Sequence, residues 1–358
     1  MGSITPYNTA AGRRYRVRWR APDHAQKEKR GLRTKHAAEI YLATVQTKIA
    51  TGEYIDPALS RATVGERQES WLKARKAAMK PSAYRPLEIT WRLHVAPRWE
   101  TVRLTDVAYS DVQDWLTALA EKRSATVTLR AYGVLAGILD VAVRDRRLPS
   151  NPARGVVLPR KNKKRHVYLS HKEVEALAIE SRSHGTLVRL LAYTGLRWGE
   201  AVALRVDSVD VERRRLQVDE NAVMVGGDLV VGTPKSHKRR SVPFPEFLVR
   251  PLEELCAGKP SRALVFGDGF THQRRPDQRK GWFVYAKRRS GVPEDLTIHD
   301  LRHTAASLAI ASGANVKAVQ RMLGHASAAM TLDVYADLFD DDLDSVSLAL
   351  HDARARSL

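Results

Sequence analysis

The chain of 358 residues lacks several features that define large classes of proteins. Its single cysteine, Cys256, excludes an intrachain disulfide framework and a zinc site built from several cysteines. No stretch reaches the roughly 18 consecutive apolar residues expected of a membrane-spanning helix. The N-terminal segment contains no apolar core of the kind found in secretory signal peptides. We therefore expect a cytoplasmic protein in a reducing compartment, with no membrane partner.

Acidic residues are scarce relative to basic ones. The chain has 60 lysines and arginines against 40 aspartates and glutamates, for a formal charge of +20. This excess favours a polyanionic partner, and nucleic acid is the first candidate. The sequence also lacks a glycine-rich phosphate loop of the form GxxxxGK(S/T), and it lacks an acidic cluster with metal-ligand spacing near the residues discussed below. We therefore expect neither a cofactor nor a metal.

Most of the chemistry-bearing side chains fall in one stretch, residues 297–338. Apolar spacing and capping residues predict three short helices here. His299 and Arg302 are three residues apart in the first helix, so both emerge on one side of its first turn. His325 follows the second helix, and Tyr335 lies on the third. The stretch can therefore present two imidazoles, a guanidinium and a phenol to one point.

This set of side chains suits a phosphodiester. An arginine presents a planar fork of donors that matches phosphate oxygens and stays charged. A tyrosine with a pKa of about 10 is a weak nucleophile near neutral pH and needs help. Histidines can donate hydrogen bonds or transfer protons in that range. Each residue by itself also fits a helical bundle with a buried tyrosine and a basic surface.

The spacing of these residues resembles the signature of the tyrosine recombinases, the phage-integrase family. That signature has an H-x-x-R, an L-G-H whose histidine lies twenty-three residues after the arginine, and a tyrosine ten residues later. The family also has an upstream arginine and a lysine. Arg197 in TGLRWGEAVAL matches the first, and Lys235 in TPKSHKRRSVPFP matches the second. The resemblance covers residues 13–345 and is most specific from Arg197 to Tyr335.

The resemblance implies a nucleophile and its proton donors and acceptors. Tyr335 would attack the phosphate and form a 3′-phosphotyrosyl link, releasing a 5′-hydroxyl. Lys235, predicted on a hairpin tip, would protonate that leaving oxygen, although Lys238 on the same turn is an alternative. His299 would assist proton transfer at the tyrosine, and His303, one turn later, is the alternative to it.

The resemblance also implies how charge on the phosphate is stabilised. Arg197 and Arg302 would neutralise the charge that develops on the phosphate oxygens. His325 would donate a further hydrogen bond. Glu200 matches the acidic neighbour found in the family and would orient the side chains of the site rather than react.

The N-terminal segment RRYRVRWR, residues 13–20, alternates between apolar and basic residues. It predicts a strand with one apolar and one basic face, in a small sheet backed by a helix that Thr34 caps. This arrangement resembles the arm-type DNA-binding domain of many phage integrases, and a solvated edge strand protected by charge is the alternative. The predicted basic face consists of Arg14, Arg16, Arg18 and Arg20.

Helical and β-rich patterns divide the rest of the chain. We predict an arm-type domain over 1–57, an all-α core-binding domain of four helices over 62–148, a linker over 149–166, and a catalytic domain over 167–358. The catalytic domain is expected to be mixed, mainly α, with a small antiparallel sheet and a C-terminal tail helix. The linker is rich in proline, and its predicted DNA contacts are Lys161, Lys163, Lys164 and Arg165.

Local patterns make further predictions. Thr63 with Glu66 and Ser170 with Glu173 are predicted to form capping boxes, and Ser327 or Thr331 is predicted to open the helix that carries Tyr335. Short β-rich segments are predicted at Arg215–Val218, Ala222–Val225, Leu229–Val231 and Arg240–Val242. Ser110 is predicted to cap a helix, and Leu93 is predicted to share an apolar face with Trp91. Pro276 is predicted to start a helix that runs through Lys287.

The resemblance implies a site-specific recombinase that integrates or excises a phage or other mobile element. It would act as a homotetramer on double-stranded DNA, at core-type and arm-type sites, together with a host DNA-bending protein and an excisionase. Two alternatives stay open. One is a chromosome-dimer or plasmid-resolving recombinase with the same chemistry, and the other is a DNA-binding regulator without catalysis.

Overall fold

The computed structural model describes residues 2–52, 54–56, 61–161, 166–233, 239–335 and 343–357. The chain divides into two units, Met1–Asn162 and Lys163–Leu358. This division does not test the finer boundaries predicted from the sequence, which stay predictions.

The first unit begins with a three-stranded antiparallel sheet. Strands β1 (Ser3–Thr9), β2 (Gly12–Arg20) and β3 (Gln26–Leu32) lie in this order, and helix α1 (Lys35–Ala50) packs against them. The hydroxyl of Thr34 accepts a hydrogen bond from the backbone of Ala37, which confirms the predicted cap of α1. The alternating segment of residues 13–20 lies within β2, so it forms a strand, as predicted.

Strand β1 was not predicted. Its sequence, SITPYNT, has a proline and no regular alternation, so the local pattern carries little strand signal. The strand forms because it pairs with β2 over its whole length, from Ser3 opposite Arg18 to Thr9 opposite Gly12. Proline is tolerated at this position because β1 is an edge strand.

A small apolar core joins the sheet to α1. Val17 and Trp19 of β2 are buried against Ala38 and Val45 of the helix. The indole of Trp19 also donates a hydrogen bond of 3.0 Å to the hydroxyl of Tyr54. The apolar face of β2 is thus fully used for packing, which leaves its arginines on the opposite face.

A helical layer completes the first unit. Thr63 and Glu66 form the predicted capping box at its first helix, since each side chain bonds the backbone of the other residue. The elements are α2 (Val64–Ala78), α3 (Pro81–Thr90), a π-helical turn (Trp91–Val95), α4 (Ala96–Trp99), α5 (Tyr109–Lys122) and α6 (Ala125–Arg144).

Two local predictions for this layer are wrong. Trp91 is buried but Leu93 is 55% exposed, because residues two positions apart on a helix point to nearly opposite sides and cannot share one face. Helix α5 begins at Tyr109 after Ala108, so Ser110 lies inside the first turn and caps nothing.

Helix α6 forms the centre of the helical core, with Leu135, Ile138 and Leu139 fully buried. Within the described part of the chain it is the one helix long and apolar enough to cross a membrane. Arg130 and Asp140 interrupt its apolar residues, so α6 contains no run of about 18 consecutive apolar residues. Its hydropathy reflects packing, because the core helix of a folded domain meets the same criterion as a membrane span.

The second unit is mainly helical. Ser170 and Glu173 form the predicted capping box of its first helix. Its helices are α7 (His171–Glu180), α8 (Gly185–Thr194), α9 (Trp198–Ala201), α10 (Val249–Cys256), α11 (Trp282–Ser290), α12 (Asp300–Ala311), α13 (Val316–Leu323), α14 (Ala328–Tyr335) and α15 (Leu343–Ser357).

Helix α11 begins later than predicted. The sequence indicated a start at Pro276, but the first helical residue is Trp282. Gly281, directly before it, has a φ of +94°, a value that glycine adopts readily and that is incompatible with a continuous right-handed helix. The chain from Pro276 to Gly281 is therefore a loop.

Short strands form two small antiparallel sheets in the second unit. Strands β4 (Val209–Asp210), β5 (Arg215–Val218) and β8 (Arg240–Pro243) make one sheet. Strands β6 (Asn221–Val225) and β7 (Asp228–Gly232) make a separate hairpin. These are the four β-rich segments that the sequence indicated, together with the additional strand β4.

Candidate active site

The guanidinium of Arg302 lies buried between two loops. Its two terminal nitrogens donate to the carbonyl of Gly195, at 2.5 Å, and to that of Leu323, at 2.6 Å. A β-carbon at Gly195 would lie 2.5 Å from Leu323, so glycine allows this close approach. Arg302 thus connects the turn after α8 to the end of α13.

Arg302 is held in an environment that disfavours its charge. Burial, followed by repulsion from Arg197, lowers the pKa of Arg302 to about 9. The residue is still charged at neutral pH, but its guanidinium is largely shielded from solvent and lies near the positive charge of Arg197. An anion bound beside Arg302 and Arg197 would therefore stabilise the charged form.

Glu200 lies at the centre of a network with two arginines. Its carboxylate, whose side chain is fully buried, accepts from the backbone of Arg197 at 2.9 Å and from the guanidinium at 3.0 Å. Arg240 donates to both carboxylate oxygens, at 3.0 and 2.6 Å. Burial alone would raise the pKa of Glu200, but the bonds from Arg240 and the charges of both arginines lower it. Glu200 is therefore ionised and orients Arg197.

His325 is held by its neighbours on both sides. Its Nδ1 lies 3.0 Å from the hydroxyl of Thr331, and its carbonyl accepts from the side chain of Gln320 at 2.9 Å. Burial and the charges of Arg302 and Arg197 lower the pKa of His325 to about 4. In the tautomer whose Nδ1 accepts from this hydroxyl, the neutral ring carries its proton on Nε2. This is the form that can donate to a phosphate oxygen.

Tyr335 ends helix α14 with a side chain that is only 1% exposed. Its hydroxyl lies 2.9 Å from Nδ1 of His303. Burial raises the pKa of Tyr335 to about 12. The residue predicted as nucleophile is therefore a neutral phenol, shielded from solvent, in this structure.

Two histidines flank Arg302, and they differ in their contacts. His299 is exposed and meets the ring of His303 edge to face at 5.1 Å. His303 is half-buried, stacks on His166 at 3.9 Å and contacts Tyr335. Burial, followed by repulsion from His166 and His299, lowers the pKa of His303 to about 3. The histidine at the tyrosine hydroxyl is thus His303, the alternative that the sequence left open.

The predicted lysines cannot be placed. Lys235 and its alternative Lys238 lie outside the described residues, as do Lys163, Lys164 and Arg165 of the linker. Lys161 is described and exposed.

The predicted DNA-binding arginines of β2 lie on the face opposite the apolar core. Arg20 is exposed, whereas Arg14, Arg16 and Arg18 are partly covered. Glu28 on β3 pairs with Arg18 at 3.3 Å and lies 3.9 Å from Arg16. The face is therefore basic, but one carboxylate offsets part of its charge.

Three possible metal ligands, His166, Asp300 and His303, come together near Tyr335 in the described part of the chain. Asp300 already accepts bonds from the backbone and hydroxyl of Thr297, at 2.7 and 2.6 Å. The rings of His166 and His303 are stacked, so the in-plane lone pairs of their nitrogens do not converge on one point. Packing around Tyr335 explains this cluster, and we assign no metal to it.

Sequence reasoning missed two residues of this site. Arg240 was predicted only as the first residue of a short β-rich segment, because its buried partner Glu200 is forty residues away. Thr331, which is fully buried beside His325, was considered only as a helix cap. Neither residue has a local pattern that would reveal its role.

Comparison with known proteins decides the family. The model of the "Phage integrase family" matches residues 160–341, which is about half of the chain and includes every residue of the candidate site from Arg197 to Tyr335. The chain belongs to the phage integrase family.

Relatives within this family include phage and bacterial proteins. The integrase of Mycobacterium phage D29 is 29% identical over 318 residues, which covers 82% of each chain. The tyrosine recombinase XerD of Corynebacterium glutamicum is 31% identical over 251 residues, covering 64% of this chain and 75% of XerD. This member of the phage integrase family is therefore a tyrosine-type site-specific recombinase, as the sequence motifs predicted.

Solved structures of the family share the fold. The Tn1549 transposon integrase, in a complex with transposon right end DNA, aligns with a TM-score of 0.66 at 20% identity, over 80% of this chain and 100% of that one. A lambda integrase dimer bound to a COC′ core site aligns with a TM-score of 0.60 at 16% identity, over 94% and 95%. The multidomain arrangement of a small N-terminal sheet, helical regions and a small antiparallel sheet thus matches tyrosine recombinases.

Proposed function

We propose that this recombinase integrates or excises a phage or other mobile element, and that Tyr335 is its nucleophile. The observation that carries the proposal is the cluster of Arg197, Arg302 and His325 next to the helix that ends in Tyr335. The similarity to the integrase of a mycobacteriophage supports the mobile-element role.

Arg197, Arg302 and His325 would stabilise the reacting phosphate. Glu200 orients Arg197, and two backbone carbonyls hold Arg302. Both guanidinium groups are therefore positioned before DNA binds. Such preorganised donors stabilise charge that develops in the transition state, and losing one commonly costs a factor of about 10² to 10³ in rate. Lys235 would protonate the leaving 5′ oxygen.

Tyr335 has to leave its buried position before it can attack a phosphate. Its hydroxyl is covered and bonded to His303, and its raised pKa makes the phenolate rare. Attack therefore requires both movement of α14 and transfer of the phenol proton. We assign proton transfer at the moved tyrosine to His299, an exposed residue whose pKa is lowered by partial burial of the ring and by the charge of Arg302, and the resting contact to His303.

The partner is double-stranded DNA with core-type and arm-type sites. We assign the arm-type sites to residues 1–57, the core-type sites to the helical domain 62–148 and the catalytic domain 167–358, and additional phosphate contacts to the linker 149–166. A host DNA-bending protein and an excisionase complete the expected assembly. The basic face of β2 and the overall charge of +20 support this assignment.

A homotetramer on paired DNA is the proposed working assembly, held together by α15. One solved relative is a lambda integrase tetramer bound to a Holliday junction. In α15, Leu348 and Leu350 are 65% and 68% exposed, as expected for a helix that packs on another protomer. Sedimentation with core-site DNA tests this role: Leu343→Asp with Val346→Asp should abolish tetramers and leave single-site binding intact. Undiminished tetramers would exclude it.

Chromosome-dimer resolution is the second candidate. The 31% identity to XerD favours it. The sheet formed by β1, β2 and β3, with its outward arginines, argues for an additional DNA contact and therefore for integration.

A covalent-adduct assay tests the nucleophile. Wild-type protein should form an adduct with a nicked core-site substrate in excess EDTA, whereas Tyr335→Phe should bind the DNA without forming one. Tyr193→Phe is a matched control, because the hydroxyl of Tyr193 likewise lies next to a histidine, 2.8 Å from Nδ1 of His171. An adduct that survives Tyr335→Phe, or is lost in Tyr193→Phe, would contradict the assignment.

A further inference from the structure

Arg240, the first residue of β8, is an arginine that points inward. Its side chain is 9% exposed and faces Glu200, which is fully buried. The two terminal nitrogens of Arg240 donate to the two oxygens of Glu200, at 3.0 and 2.6 Å. This paired geometry fixes the orientation of the carboxylate as well as its charge.

The same guanidinium also contacts the segment that precedes His325. Its Nε donates to the carbonyl of Met322 at 3.2 Å. A β-carbon on Gly324 would lie 3.0 Å from Cδ of Arg240, so the two residues are in close contact. Arg240 therefore joins three separate segments, namely β8, the start of α9 and the end of α13.

The donors of Arg240 are directed at protein groups, not at solvent. Nε, Nη1 and Nη2 each have a protein acceptor, and little of the side chain is accessible. The neighbouring Arg239 is the opposite case. Its side chain is 85% exposed and lies 3.7 Å from Asp219. Of two adjacent arginines, one is thus suited to positioning and the other to surface charge.

We propose that Arg240 is a positioning residue for recombination: it holds Glu200, and through it Arg197, while anchoring the backbone that carries His325. It acts without contacting DNA. This inference rests on the proposed roles of Arg197 and His325.

Removing Arg240 would leave the buried carboxylate of Glu200 with Arg197 as its remaining charged partner. Arg197 would then lose the fixed acceptor that orients it, and the segment before His325 would lose its anchor. A small displacement of reacting groups can cost about 10²-fold in rate. DNA affinity, which depends on surface charge, should change little.

The test compares Arg240→Met with Arg239→Met in single-turnover cleavage of a nicked core-site substrate, at saturating protein. We expect Arg240→Met to slow adduct formation by between about tenfold and 10²-fold, with core-site affinity close to that of the wild type. Arg239→Met should cleave bound DNA at the wild-type rate. Arg240→Lys, which keeps the charge but not the paired geometry, should recover part of the rate.

The pH profile distinguishes positioning from a general loss of structure. Because Arg240 lowers the pKa of Glu200, its removal raises that pKa, and cleavage by Arg240→Met should decline further as the pH is lowered. In a Glu200→Gln background no carboxylate titrates, so Arg240→Met should add no further pH dependence. Thermal unfolding of each variant identifies any loss due to misfolding.

Three results would overturn the inference. One is wild-type cleavage by folded Arg240→Met. Another is a rate loss that matches the loss of folded protein. The third is an equal loss of DNA affinity in Arg240→Met and Arg239→Met with normal cleavage of bound DNA. Failure of the proposed function is distinguishable, because an adduct would then persist in Tyr335→Phe.

Discussion

The arginines of the N-terminal strand and those of the candidate active site have the same side chain in opposite surroundings. Arg20 of β2 is exposed, and Arg16 and Arg18 both lie within 3.9 Å of the carboxylate of Glu28. Arg302 is buried and the side chain of Arg240 is only 9% exposed, and backbone carbonyls or a buried carboxylate accept their hydrogen bonds. A surface arginine attracts any phosphate that approaches through its charge. A buried arginine donates hydrogen bonds in directions that its protein partners fix.

This difference predicts how the two regions respond to mutation and to salt. Surface charge should control affinity, because neutralised phosphates release counterions. Buried arginines should control the rate on DNA that is already bound, because their geometry exists before binding.

The largest effect is expected at Arg302. Arg302→Ala removes a charge beside the phosphate and leaves the carbonyls of Gly195 and Leu323 without their donor. We expect cleavage of bound DNA to fall by about 10² to 10³. The free energy of unfolding should fall by about 1–3 kcal/mol for each carbonyl left without a partner. Single-turnover cleavage and urea unfolding measure the two effects separately.

Arg302→Lys is the control for charge. It should retain part of the electrostatic contribution but not the two directed bonds, so its rate should lie between those of the wild type and Arg302→Ala. A rate equal to the wild type would contradict the importance of geometry at this buried position.

Deletion of residues 1–60 should abolish binding to arm-type sites while leaving core-site binding and cleavage measurable. The deletion removes the sheet and α1 together with their own apolar core, which is separate from the core around α6. Filter binding over a range of salt concentrations should show a steep salt dependence for arm sites in the full chain.

Glu28→Gln sharpens the same test. It removes the carboxylate that pairs with Arg18, so arm-site affinity should rise modestly and core-site affinity should not change. If the truncated protein bound both kinds of site as well as the full chain, the arm-domain assignment would be wrong.

The smallest effect concerns buried histidines and pH. The pKa values of His303 and His325, about 3 and about 4, lie below the ordinary value of about 6.5. Between the folded-state pKa of each histidine and the ordinary pKa of about 6.5, the unfolded chain binds more protons than the folded chain. The stabilising contribution is thus fully present above about pH 6.5 and is lost as the pH falls through about 4 for His325 and about 3 for His303.

Urea unfolding at pH 7 and pH 5 measures this contribution. His303→Asn and His325→Asn should each reduce the difference in stability between the two pH values. His351→Asn, an exposed position in α15, should leave it unchanged. A pH dependence that is identical in the wild type and both buried-site variants would contradict the assignment.

Local sequence determined much of the framework. The caps formed by Thr34, Thr63 and Ser170 depend on residues within one helical turn, and all three were predicted. The three-residue spacing of His299 and Arg302 likewise needs only the geometry of a helix. The spacing of the motif residues was sufficient to identify the family.

Tertiary structure decided what lies between these local elements. Burial of Arg302 and Tyr335 depends on how α8, α12, α13 and α14 pack, and no residue within one turn of either specifies it. The Glu200–Arg240 pair joins residues forty positions apart, and strand β1 exists because β2 pairs with it. Helical periodicity is local, whereas burial and strand pairing depend on segments that are distant in the sequence. The sequence motifs therefore identified the residues with the relevant chemistry. Only the packing showed which other side chains hold those residues in position.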